Sequence, residues 1–100
     1  MKEAAPRVAH DVAEDLIQLC AAGDRAAFAE LYDFFSARAY GIALRVVRDP
    51  ALAEDVAHDA WLNVWDSAAA FDPARGSAAG WIMSLVHRRA VDTVRRIEAG

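Results

Sequence analysis

"FAELYDFFSARAYGIALRVVRDPALAEDVAHDAWLNVW", residues 28–65, reads as two long helices joined at a single break. Phe28, Leu31, Tyr32, Phe35, Ala39, Ile42 and Val46 recur at helical spacing and form one apolar stripe. "RDP" interrupts it. Asp49 suits an N-cap, and Pro50 suits the first position of a new helix, where its missing N–H loses no bond. Beyond the break Ala53, Val56, Ala57, Ala60, Trp61 and Val64 repeat every three or four residues as a second core-facing stripe.

Working outward, Gly23 is a C-terminal cap for a helix from about Asp11 to Ala22, and Asp24 caps the long helix that ends near Arg48. The third helix runs from Pro50 to about Ala69. "FDPARGS" follows as the one real loop, and Ser77 caps a fourth helix from Ala78 to about Glu98. On that helix Ile82, Leu85, Val86, Ala90, Val94 and Ile97 supply the core face. Strand signals are negligible, and short connections between long helices favour antiparallel neighbours. The expected fold is all-α, a compact bundle of about four helices over residues 11–100, behind a disordered leader over residues 1–10.

Composition agrees. In 100 residues there is room for one core, and the 56% hydrophobic content is dominated by alanine, the strongest helix former. The single cysteine, Cys20, excludes an internal disulfide and fits a reducing cytosol. No apolar run approaches a membrane span, and the N-terminus lacks the apolar core of a signal peptide. The expected location is cytoplasmic.

The net charge of −4 hides an uneven distribution. Asp49, Glu54, Asp55, Asp59, Asp66 and Asp72 precede Arg75 with no Lys or Arg among them. From Arg75 to Ile97, Arg75, Arg88, Arg89, Arg95 and Arg96 then stand against one acid, Asp92. Such asymmetry points to two partners of opposite charge. On the third helix Asp55, His58, Asp59, Leu62 and Trp65 share a strip opposite the core stripe. A merely solvated face has no use for Leu62 and Trp65, so the strip reads as a docking surface for a basic protein partner. The alternative is that Trp65 folds back against the loop and the acids are only solvated.

On the fourth helix Ser84, His87, Arg88 and Arg95 face away from much of the core. Before them "ARGSAAGW" offers Gly76 and Gly80 for close backbone approach, Ser77 and free amides at a helix start, and Trp81 for stacking. This suits an unpaired nucleotide. Arg89 and Arg96 lie on a flank where both can pair with Asp92. Nothing resembles a nucleophile–base pair, a metal-ligand set or a phosphate-binding Gly-Lys motif, so neither an enzyme, a metal site nor a cofactor is expected. The competing function is a helical protein–protein module without DNA binding.

Taken together, the residue 28–65 stretch and "FDPARGSAAGWIMSLVHRRAVDTVRR", residues 71–96, resemble region 2 of bacterial extracytoplasmic-function (ECF) sigma factors of the sigma-70 family. Within that family "ARGSAAGWIMSLVHRRAVD" is most like the mycobacterial sigma-K type. No segment here resembles the region 4 helix-turn-helix. The resemblance implies a transcription-initiation factor with three partners: the β′ clamp helices of core RNA polymerase, single-stranded non-template DNA of the promoter −10 element, and an anti-sigma factor. Asp55, His58, Asp59, Leu62 and Trp65 would meet the polymerase. Arg75, Gly76, Ser77, Trp81, Ser84, His87 and Arg88 would hold a base flipped from the stack, with Arg95 and Arg96 on phosphates. Many relatives carry an asparagine or a bulkier loop where this chain has Arg88 and "SAAG", which leaves the base preference open.

Overall fold

A computed structural model describes residues 4–100, with side chains from residue 12 onward. Four helices run in chain order: α1 (Ala4–Ala21), α2 (Arg25–Val47), α3 (Pro50–Ser67) and α4 (Ala78–Ala99). Two 3₁₀ turns, Ala68–Ala70 and Pro73–Arg75, lie between α3 and α4. The described residues contain no strand, and the architecture is the all-α bundle read from the sequence. Among these residues no helix is long and apolar enough to cross a membrane.

Each boundary has a local cause. At the end of α1, Gly23 adopts φ 95°, and the N–H groups of Gly23 and Asp24 return to the carbonyls of Cys20 and Leu19 at 2.9 and 3.0 Å. That left-handed turn favours glycine. Asp24, Asp49 and Ser77 cap the next three helices, accepting from the amides of Ala27, Leu52 and Gly80 at 3.1, 3.1 and 2.9 Å. Between α2 and α3 the turn is made by Arg48 at φ 59°, ψ 30°, with its N–H on the Leu44 carbonyl at 2.8 Å.

α1 begins at Ala4 rather than near Asp11. Pro6 falls in its first turn, where an N–H has no intrahelical acceptor, so it does not stop the helix. The leader expected over residues 1–10 falls in part on residues 1–3, outside the described residues. α3 ends at Ser67 and tightens into the 3₁₀ turn, two residues before the predicted limit.

α2 packs against all three other helices, and α4 also packs on α1 and α3. Ile17, Leu31, Val56, Val64, Ile82 and Val86 are the largest fully buried side chains. Ala39, Ala43, Ala53, Ala60 and Ala90 have no exposed surface. Small residues at the crossings let the backbones approach, so a larger side chain there overpacks at about 1–3 kcal/mol. Two residues assigned to the core by periodicity are outside it: Tyr32 and Ile97 are 48% and 58% exposed. The Tyr32 edge of the wide α2 stripe drifts off the buried face. Ile97 lies beyond Ala90, the last buried residue of α4. Met83, not singled out by periodicity, is buried.

Candidate nucleic-acid pocket and protein-docking face

After α3 the chain turns through Ala68–Ala70, where the Phe71 N–H reaches the Ala68 carbonyl at 3.2 Å. Asp72 accepts from the Ala74 amide at 3.0 Å, Pro73 opens the second short turn, and Gly76 runs extended into the Ser77 cap. A Cβ at Gly80 would stand 3.0 Å from Ser77 Oγ. Glycine at 80 therefore lets the cap close.

This folding-back brings Phe71 against Trp81, with ring centroids 5.4 Å apart and planes inclined at 51°. Around the pair lies an open cavity of about 530 Å³, and its lining includes Asp72, Arg75, Ser77 and Arg88. Ala70, Gly76, Gly80 and Ser84 complete the wall, and Ser84 Oγ donates to the Trp81 carbonyl at 2.7 Å. One cavity thus gathers six of the sequence-assigned nucleotide residues: Arg75, Gly76, Ser77, Trp81, Ser84 and Arg88. Two exposed guanidiniums, a carboxylate and an aromatic pair can stack a planar heterocycle and bond its edge or its phosphate.

His87 and Arg95 lie just outside, sharing with Ser84 and Arg88 a shallow hollow along the outer face of α4. Arg96 does not join them. It lines a separate groove between α3 and α4 with Leu52, Asp55, Asp59, Thr93 and Ile97. Consecutive helical residues diverge by about 100°, which splits Arg95 from Arg96.

On α3 Asp55, His58, Asp59 and Leu62 are all exposed, Leu62 at 51%. Trp65 is half-buried, edge-on to Phe28 of α2 at 5.3 Å, so it leans on a helix rather than on the loop. Neighbouring Trp61 is buried, with Phe28 and Tyr32 edge-on at 6.0 and 5.3 Å. Its indole Nε1 is buried with no partner. Cys20 is buried in the core, and burial, then the nearby Asp24 carboxylate, push its thiol pKa up.

Sequence reasoning missed Phe71 and Asp72 as lining residues of the cavity, and missed that Tyr32 shares an open hollow with Asp55, His58 and Leu62. Phe71 had one usable signal: an aromatic immediately before the Asp-Pro turn, at the far end of a loop that ends near Trp81.

A family model described as Sigma-70 region 2 matches residues 31–99. Over 95 residues the chain is 44% identical to the ECF RNA polymerase sigma factor SigK of Mycobacterium tuberculosis, covering 95% of this chain and 50% of that protein. It is 48% identical over 84 residues to the factor of the same name in Mycolicibacterium vanbaalenii, covering 84% of this chain and 43% of the relative. The chain spans about half the length of the curated relatives it matches.

Proposed function

The chain belongs to the sigma-70 region 2 family, and from that premise we propose that it serves transcription initiation through two separate faces. The α3 strip docks on the β′ clamp helices of core RNA polymerase. The Phe71–Trp81 cavity holds a non-template base flipped out of the promoter −10 element. The observation that carries the proposal is that both faces lie open on one body. Asp55, His58, Asp59 and Leu62 are exposed along α3. Arg75, Gly76, Ser84, His87 and Arg88 are exposed around hollows that share no residue with that strip.

Flipping a base costs a few kcal/mol of lost stacking and pairing. Stacking on an aromatic returns about 1–3 kcal/mol per base, and a charge-assisted bond from Arg88 or Arg75 adds to it. The rings of Phe71 and Trp81, 5.4 Å apart, leave less than the ~7 Å (two base rises) that a sandwiched base needs. The base therefore lies on the exposed side of the pair. Arg95 and His87, farther along α4, meet the neighbouring phosphates. At the α3 strip, Asp55 and Asp59 select a basic rod, while Leu62 and the outer edge of Trp65 supply apolar contact.

Two pairs of variants test the division. Trp65→Ala and Asp59→Arg should weaken binding to core polymerase and spare binding to a single-stranded −10 oligonucleotide. Arg88→Ala and His87→Ala should do the reverse. Pull-down on core polymerase and fluorescence anisotropy on the oligonucleotide read the two activities. Equal loss of both activities in both pairs would refute the two-face assignment.

A further inference from the structure

The groove between α3 and the last turns of α4 is left unused by the reading above. Its floor and walls include Val56, Leu52 and Ile97, and its rim carries Asp55 and Asp59 from α3 and Arg96 from α4. Ile97 is 58% exposed, as open as Leu62 on the neighbouring strip. Two large apolar side chains exposed on either side of a pair of carboxylates form a contact surface wider than one helix face.

We propose that the protein-docking surface of α3 continues across this groove onto α4, with Ile97 as a second apolar anchor and Arg96 as a charge that tempers attraction for the basic partner. The inference rests on the polymerase-docking reading and names two further residues for it. The occupant is the same basic helical rod, because Asp55 and Asp59 belong to both the strip and the groove. Two carboxylates against one guanidinium leave the groove net acidic, which attracts a basic helix and repels a phosphate backbone. Arg96 is thereby removed from the DNA-binding set, and Arg95, one residue earlier, stays in it.

The test compares Arg95→Glu, Arg96→Glu and Ile97→Asp in binding to core polymerase and to a single-stranded −10 oligonucleotide, with helix content checked by circular dichroism. Ile97→Ala serves as the milder variant if the aspartate unfolds the last turn. Ile97→Asp should weaken polymerase binding about 10-fold or more and leave the oligonucleotide unaffected. Arg96→Glu should strengthen polymerase binding about 2–5-fold at low salt, an effect that fades at high salt, with unchanged oligonucleotide affinity. Arg95→Glu should weaken the oligonucleotide alone.

If Arg96→Glu costs as much oligonucleotide affinity as Arg95→Glu, the inference is overturned. It is equally overturned if Asp59→Arg weakens polymerase binding while the Ile97 variants and Arg96→Glu leave it unchanged, although the α3 docking reading then survives. Dimerisation of the wild type that Ile97→Asp abolishes, seen by sedimentation, assigns the groove to a second copy and also overturns it. Failure of the wild type to bind polymerase at all removes the docking reading and this inference with it.

Discussion

Trp81 holds its ring against Phe71 and opens its other surface to the cavity, where Arg75 and Arg88 approach. Stacking is insensitive to ionic strength, whereas guanidinium–phosphate contacts are not. Trp81→Ala should therefore cost about 1–3 kcal/mol of −10 oligonucleotide affinity with no change in its salt dependence. Arg95→Ala should instead flatten the slope of log affinity against log salt by about 0.7. Anisotropy titrations across a salt series separate the two. Cys20 makes a different prediction. Its thiol pKa is raised above the usual range of about 8.5, so on raising pH the unfolded chain loses this proton before the folded one does. The contribution to stability is full below that range and declines as pH rises above it. Urea melts at pH 7 and pH 9.5 should show a larger loss for the wild type than for Cys20→Ala.

At the scale of the helices, local chemistry decided most of what the sequence made legible. Asp24, Asp49 and Ser77 each have their side chain on an amide three residues ahead, and all three helix starts fall where those residues place them. Ser77→Ala should lower stability by about 1 kcal/mol and loosen the cavity rim, so melting temperature and oligonucleotide affinity should fall together. Arg48 is the opposite case: a non-glycine residue held at φ 59° to turn α2 into α3. Arg48→Gly should relieve that strain and raise stability by about 0.5–1 kcal/mol, read as an upward shift in the thermal midpoint. What periodicity could not convey is tertiary. A stripe does not say where neighbouring helices stop, so Ile97 looked like core. Helical spacing puts Arg95 on the outward strip and Arg96 on a flank, whereas the family resemblance puts both on phosphates; the structure sets them in different hollows. Phe71 and Asp72 enter the site only because two short turns fold their loop back over the start of α4.

For the molecule as a whole, alanine at the helix crossings allows a small chain to close a dry core while keeping charged and aromatic residues for its surface. Asp55 and Asp59 of the acidic segment open along α3, and Arg75 and Arg88 of the basic segment open on the cavity at the start of α4, with Asp72 and Arg96 as the exceptions that cross over. That separation suits a body that is anchored to a protein through one face while the other meets a strand of nucleic acid. The central claim is that the second face holds an individual base rather than only a charged backbone. A panel of single-stranded −10 oligonucleotides, made abasic at one position at a time and titrated against the wild type and Trp81→Ala, tests it most directly. The account predicts one position whose abasic form binds the wild type about 10-fold more weakly, a difference that disappears in Trp81→Ala. Affinity that follows length and salt alone, with every abasic position equivalent, would contradict it.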